Sequence, residues 1–382
     1  MRTTVAHHPG GLCLLSRFAA ALAGLALAVA PAAFAQPAPA PAPPGPQPQA
    51  GDFVIRDFHF QSGESLPELR IHYTTFGEPR RDGEGHVTNA VLIMHGTGGA
   101  GTSLIRPEFA GELIGPGQLL DATKYFLIFP DDIGHGKSSK PSDGLKAHFP
   151  HYDYTDMVTA QHQLLTDGLQ VNHLLIVMGT SMGGMHTWMW GEMYPDFMDG
   201  LMPLASLPGA MSGRNRMMRR MMKDDITGDP DYNGGDYTTQ PRGLAAALQL
   251  MFMMTSSPRQ LQKQAPTTAA ADAYIERWQQ RVFEHEDAND YLYAFEASRD
   301  YDPSPHLDRI VAPLIAINSA DDQVNPPDMG VMEALMPNVK HGQYVLIPIS
   351  DKTRGHGTHT MAAIWQSHLA DLLAEIRQAT GR

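Results

Sequence analysis

Residues 179–183, with the sequence Gly-Thr-Ser-Met-Gly, place a serine between two glycines. An apolar run precedes this stretch at 173–178, and a segment with helical character follows it at 185–193. Strand, sharp turn and helix is the context in which G-x-S-x-G forms a nucleophile elbow, with the serine hydroxyl exposed at the carboxyl edge of a sheet. Bulky flanking residues would collide with the neighbouring strand and helix in so strained a turn. We therefore predict that Ser181 is a nucleophile; a plain glycine-serine turn is the alternative.

Apolar runs along the rest of the chain predict the sheet to which this turn belongs. Runs without alternation are typical of strands covered on both faces, and they occupy residues 90–94, 125–129, 174–178, 201–204, 314–317 and 344–347. Helical periodicity lies between them, which predicts a doubly wound, mostly parallel α/β sheet. Residues 52–60 and 69–76 alternate instead, which predicts an antiparallel hairpin at the sheet edge.

The first 51 residues differ in composition from the rest. Residues 1–35 combine two arginines, a short apolar core and an A-x-A sequence at 33–35, which is typical of a secretory signal peptide. We therefore expect a periplasmic or secreted protein with no stable membrane insertion after cleavage. Residues 36–51 are rich in proline and alanine and predict a disordered linker.

The remaining chain is predicted to form a core at 52–207 and 308–382, interrupted by a helical lid at 208–307. The lid segment lacks a clear buried strand and carries clustered methionines. Such methionines pack a helical unit, and over a reactive serine they could also line an apolar acyl pocket. The formal charge of −13 argues against a nucleic-acid partner, which favours a basic face.

A serine hydroxyl becomes a nucleophile when a base takes its proton and a third group orients that base. After this type of turn, the acid and then the histidine follow the serine in the chain. Asp321 and Asp322 stand together after the run 314–317. We prefer Asp322, which lies four residues before Pro326, a spacing common in α/β-hydrolases. Asp321 is the alternative, and the aspartate that is not used should be exposed to solvent.

His356 lies between two glycines after the last predicted strand, where it could swing over the serine. We predict that His356 is the base, with His359 as the alternative. A metal site formed by His356, His359 and Asp351 is a competing interpretation, although zinc sites usually have more concentrated ligand spacing. We therefore predict neither a metal nor a cofactor.

The negative oxygen that develops during acyl transfer needs backbone N–H donors. Met182, directly after the serine, should supply one of them. The glycine-rich stretch 95–101 (HGTGGAG) should supply the other through Thr97, and its spacing fits neither phosphate-binding motif. The sequence at 131–138 has the pattern D-x-x-G-x-G-x-S, which we interpret as a structural bend.

These segments resemble the homoserine O-acetyltransferase branch of the α/β-hydrolase superfamily over nearly all of residues 52–382. The most specific part is 179–185, and further matches lie at Phe149-Pro150, 156–158, Trp190, 194–196, 228–230 and 287–289. The resemblance implies an α/β-hydrolase fold, a triad carried onto Ser181, Asp322 and His356, and a helical lid often involved in dimerisation. A homodimer through the lid is therefore possible.

Three motifs depart from that branch. The loop usually reads H-A-L-T-G where this chain has HGTGG at 95–99, and G-x-C-x-G-S corresponds to 134–138. The histidine is usually followed by an acid, a plausible anchor for the homoserine amine, whereas Gly357 stands here. We therefore expect a serine hydrolase of short or medium acyl esters.

An O-acyltransferase and a non-catalytic binding domain are the alternatives. Export argues against the acyltransferase, because acyl-CoA is a cytoplasmic donor. A complete triad and oxyanion loop argue against the binding domain, because a hydrolase fold that has lost catalysis is not expected to retain every catalytic residue.

Overall fold

The computed structural model describes residues 46–283 and 285–381. The signal peptide predicted at 1–35 and most of the predicted linker lie outside these residues. Within them, one sheet has the strand order β1-β2-β4-β3-β5-β6-β7-β8. Its strands are β1 (Gln49–His59), β2 (Ser65–Phe76), β3 (Ala90–Met94), β4 (Phe126–Pro130), β5 (Ile176–Thr180), β6 (Leu201–Leu204), β7 (Leu314–Ser319) and β8 (Gly342–Ile347).

The edge hairpin forms as predicted but begins earlier in the chain. β1 and β2 are antiparallel, and β1 starts at Gln49, which pairs with Thr75. The predicted linker therefore ends before residue 51, because backbone pairing with β2 does not require apolar side chains. Asp57 has a φ of 50°, and the register passes over it. Pro67 on β2 is passed over as well, so the register is the same on both sides of this local distortion. Ile55 and Phe58, three residues apart on either side of it, are both buried.

The other six strands overlap the six apolar runs. Five of them are buried along their whole length, but β8 lies at the edge of the sheet and is mostly exposed or half-buried, so the prediction that it is covered on both faces was wrong. β4 is antiparallel to β2, and β3 to β8 pair with one another in parallel. Helices cover both faces of this sheet, with Trp188 and Trp190 in the apolar core of one face and Trp365 in that of the other. The described helices are α1 (Ala110–Leu113), α2 (Tyr154–Gln163), α3 (Met182–Met193), α4 (Gly213–Thr227), α5 (Arg242–Thr255), α6 (Pro258–Gln264), α7 (Thr268–Phe283), α8 (Ala288–Glu296), α9 (Val331–Leu335) and α10 (Ala362–Thr380).

The described part of the segment between β6 and β7 contains the helices α4 to α8, joined by loops and short turns, and no strand. It has an apolar cluster of its own, to which Met218, Met222 and Met254 contribute buried side chains. Three other methionines of the same helices are exposed: Met217, Met221 and Met253. The lid methionines thus divide between packing and surface. None of the described helices is both long and apolar enough to cross a membrane.

Candidate active site

Ser181 occupies a strained turn between β5 and α3. Its φ of 56° and ψ of −111° are unusual for a residue with a side chain. A Cβ at Gly179 would lie 2.2 Å from the Gly183 carbonyl oxygen, and one at Gly183 would lie 2.4 Å from that of Met94. Both glycines are therefore required sterically, and the turn has the geometry predicted from the motif.

The three predicted triad residues form one hydrogen-bonded row. His356 Nε2 lies 2.8 Å from Ser181 Oγ, and His356 Nδ1 lies 2.8 Å from Asp322 Oδ2. Ser181 follows β5, Asp322 follows β7 and His356 follows β8, so the row lies at the carboxyl edge of the parallel strands. The structure thus brings Ser181 together with two residues that lie more than a hundred positions further along the sequence.

Asp322 is buried, yet its carboxylate is fully hydrogen-bonded. Its Oδ1 accepts the Val324 N–H at 2.8 Å and the Asn325 N–H at 3.2 Å. Burial alone would raise the pKa of Asp322, but the nearby His356 and these N–H groups lower it below its usual value. The acid is therefore held in the ionised form, which can fix one orientation of the imidazole ring.

Asp321 is not the solvent-exposed acid that the sequence predicted. It is buried, and its Oδ2 accepts the Thr353 hydroxyl at 2.9 Å and the Gly355 N–H at 3.0 Å. The prediction was wrong because the loop that carries His356 folds back onto this carboxylate. Asp321 thus anchors the histidine loop, whereas Asp322 contacts the histidine itself.

His359 lies beside the row but does not join it. Its ring centroid is 5.2 Å from that of His356, and no partner among the described residues pairs with its Nδ1. Burial and the neighbouring His356 hold the pKa of His359 well below its usual value. Asp351, the third residue of the alternative metal site, instead pairs with Arg259 and Lys263. Across the described ranges, no group of three His, Cys, Asp or Glu residues is arranged to hold a metal ion.

The glycine-rich loop after β3 lies directly against the serine. A Cβ at Gly96 would be 3.2 Å from Ser181 Cβ, so only a small residue fits there. The Ser181 N–H donates to Leu204 and the Gly183 N–H to His95, whereas no described acceptor pairs with the N–H of Met182 or Thr97. These two N–H groups are therefore available for a substrate oxygen.

The D-x-x-G-x-G-x-S segment at 131–138 is hydrogen-bonded to the end of this glycine-rich loop. Asp131 accepts the Gly101 N–H at 2.7 Å and the Lys137 N–H at 2.8 Å, which ties the two loops together. Gly134 and Gly136 have positive φ values, as a tight bend requires. The segment acts as the structural bend that its pattern predicted.

Two buried polar residues outside the row were not predicted from the sequence. Tyr154 begins α2 and Arg219 lies within α4, and each is buried with one polar atom unpaired. Helical periodicity could have placed Arg219 on the buried face of α4, because it lies three residues before Met222 and seven before Ile226. No local motif marks either residue.

Comparisons with known proteins identify the family and the fold. A family model described as the alpha/beta hydrolase fold matches residues 89–347. A probable acyltransferase of Methanothermobacter thermautotrophicus is 30% identical over 294 residues, 76% of this chain and 89% of that protein. The homoserine O-acetyltransferase of Haloferax prahovense is 31% identical over 309 residues, 69% of this chain and 72% of that protein. In fold, the chain resembles the acetyl esterase MekB with a TM-score of 0.73 at 24% identity, over 85% of this chain and 97% of the other.

Proposed function

Since the chain belongs to the α/β-hydrolase family, in its homoserine O-acetyltransferase-like branch, we propose that it hydrolyses carboxylic esters through an acyl-enzyme on Ser181. The observation that carries this proposal is the row of Ser181, His356 and Asp322, with 2.8 Å at both contacts of the histidine. A base within hydrogen-bond reach of the hydroxyl, itself oriented by a buried carboxylate, is the arrangement that activates a serine.

Acylation begins when Ser181 Oγ forms a bond to the ester carbonyl carbon and its proton moves to His356 Nε2. The carbonyl electrons move onto oxygen, and the N–H groups of Met182 and Thr97 stabilise the resulting negative charge. When the intermediate collapses, the bond to the alcohol breaks and the alcohol takes the proton from His356. Asp322 remains ionised and stabilises the imidazolium through its hydrogen bond to Nδ1.

Deacylation repeats these steps with water as the nucleophile. His356 takes a proton from water as the oxygen attacks the acyl carbon, and then returns it to Ser181 Oγ as that bond breaks. The products are a carboxylic acid and the regenerated serine. An acyltransferase differs only here, because an acceptor alcohol replaces water.

Transfer to an alcohol is the second candidate, and the names of the matched relatives favour it. A transferase must bind its acceptor well enough to exclude water, which for homoserine requires anchors for both an amine and a carboxylate. Gly357 follows His356 and offers no side chain to an amine. We therefore place hydrolysis first.

The partition of one acyl-enzyme distinguishes the two activities. Purified protein is given an aryl acetate with and without millimolar homoserine, and acetate and O-acetylhomoserine are measured together. Hydrolysis predicts acetate as the main product in both samples, and Ser181→Ala provides the background. O-acetylhomoserine as the dominant product, or acetyl-CoA as a better donor than the aryl ester, would establish transfer instead.

A further inference from the structure

The loop that carries His356 is hydrogen-bonded to a helix of the lid. This His356 loop, residues 348–356, follows the edge strand β8 and contacts the lid helix α6. Gln260 on α6 donates from its Nε2 to the Asp351 carbonyl oxygen at 3.0 Å and to that of Thr353 at 2.9 Å. Carbonyl oxygens only accept, so both contacts require the NH₂ group of the glutamine amide. Gln260 is 8% exposed, so these two hydrogen bonds lie in a buried junction between the lid and the loop.

Ser257 makes a second contact between the lid and this loop. It occupies the N-cap position of α6, where a serine hydroxyl usually accepts a backbone N–H of the first helical turn. The Ser257 hydroxyl makes no such bond within the described chain; it is buried and donates to Asp321 Oδ2 at 3.3 Å. The same carboxylate oxygen accepts from Thr353 and Gly355 of the His356 loop. A residue suited to stabilise its own helix is thus used to join the lid to the loop of the base.

The backbones of the lid and of the loop also meet directly before the base. Gly355 precedes His356 with a φ of 62°, and a Cβ there would lie 2.9 Å from the Ser256 carbonyl oxygen. The lid therefore leaves little room for a side chain at this position, and its backbone limits where His356 can lie. The ion pairs of Asp351 with two residues of α6 are exposed, so they should add little to this junction.

The other hydrogen bonds of the loop backbone show why the lid contact matters. Arg354 closes the loop on itself, because its Nη1 contacts the three carbonyl oxygens of residues 351–353. Among the described residues, hydrogen bonds from distant parts of the chain reach this backbone from Asp321 and Gln260. Asp321 belongs to the core and Gln260 to the lid. The position of the loop therefore depends on both parts of the molecule.

We propose that the lid positions the catalytic base: Gln260, with Ser257, holds the loop that carries His356. His356 Nε2 lies 2.8 Å from Ser181 Oγ, so a small displacement of the loop removes the hydrogen bond along which the proton moves. Gln260 is a positioning residue, because it contacts the loop rather than the reacting atoms. The base is in place only while α6 is docked, which couples the position of the lid to the activation of the serine. This inference rests on the proposed function for its effect on catalysis, but not for the docking of the loop.

Steady-state kinetics on p-nitrophenyl acetate test the positioning role. Gln260→Met keeps the length of the side chain but removes both donors, and it should lower kcat by about 10-fold or more while KM changes less than about twofold. Gln262→Met, which changes an exposed glutamine of the same helix, should leave both parameters unchanged. In the His356→Ala background, Gln260→Met should cause no further loss, because the residue that it positions is absent. An unchanged kcat in the single variant, or a full additional loss in that background, would overturn the proposal.

Hydrogen exchange separates this inference from the proposed function, because it needs no turnover. In Ser181→Ala, the amide hydrogens of residues 350–358 should exchange faster when Gln260→Met is added and at the same rate when Gln262→Met is added. If this difference appears and no ester is hydrolysed, the lid holds the loop and only the proposed hydrolase fails. Equal exchange in the two variants would overturn the docking contact. If Gln260→Met does not fold, Ser257→Ala, which removes one hydroxyl, provides the same comparison.

Discussion

Two sets of buried polar groups in this molecule differ in whether the protein itself supplies their hydrogen-bond partners. On the histidine side, the carboxylates of Asp321 and Asp322 and both ring nitrogens of His356 have partners within 3.0 Å. By contrast, one buried polar atom in each of Thr97, Tyr154 and Arg219 has no hydrogen-bond partner among the described residues. Groups that carry out chemistry are held in position before the substrate arrives. The comparison shows that the protein alone supplies the hydrogen-bond partners of the three residues in the row.

Removing the base of the row should have the largest effect on activity. His356→Ala should lower kcat for aryl esters by about 10⁴-fold or more, because the serine then has no proton acceptor. His359→Ala should change it less than about tenfold, since His359 contacts neither Ser181 nor Asp322 by a hydrogen bond. Steady-state kinetics on both variants, with circular dichroism as the folding control, provide the comparison. A larger loss in His359→Ala would move the base to that residue.

The two adjacent aspartates should differ in whether their substitution lowers activity or stability. Asp322→Asn should lower kcat by about 10³- to 10⁴-fold with little change in KM, because the imidazole loses its orienting anion. Asp321→Asn should act mainly on stability, by about 1–3 kcal/mol, since it weakens the hydrogen bonds that hold the His356 loop. Kinetics and urea unfolding of each variant separate the two roles. The opposite pattern would exchange them.

Substitutions of two lid methionines test whether the lid contributes an apolar surface to the acyl pocket. Met254 is buried in the lid cluster, whereas Met253 is mostly exposed. Met254→Ser should destabilise the protein by about 2–4 kcal/mol, and Met253→Ser should cost less than about 0.5 kcal/mol. If Met254 also lines the acyl pocket, activity on longer acyl esters falls more than activity on acetate. An equal loss on all chain lengths would assign it to packing alone.

Glu192 is half-buried, and its Oε2 is buried without a hydrogen-bond partner among the described residues. It therefore measures the effect of burial on a single carboxyl group. Burial raises its pKa from 4.5 to about 7, partly opposed by Arg309. As pH rises from 4.5 to 7 the unfolded chain loses this proton first, so the stability contributed by the protonated form is lost across that window. Glu192→Gln should therefore stabilise the protein by about 1–2 kcal/mol at pH 8, after screening, and hardly at pH 5. Thermal unfolding at both values measures the difference.

The structural features that were predicted correctly from the sequence are those determined by residues close together in the chain. The turn around Ser181, the positions of six strands and the order of acid and histidine all follow from local patterns, and the structure brings the predicted residues together. The start of β1 at Gln49 was missed because it depends on pairing with β2. The burial of Asp321 depends on how the loop near Thr353 folds back. The unpaired state of Arg219 depends on which acids approach α4 from other elements.

The most direct test of the proposed chemistry is to trap the acyl-enzyme. The protein is mixed with an aryl acetate, quenched in acid within the first turnovers, digested and analysed by mass spectrometry. The account predicts one added acetyl group on the peptide that contains Ser181, absent from Ser181→Ala and decaying in water once the ester is exhausted. An acetyl group on another residue, or undiminished hydrolysis by Ser181→Ala, would contradict it.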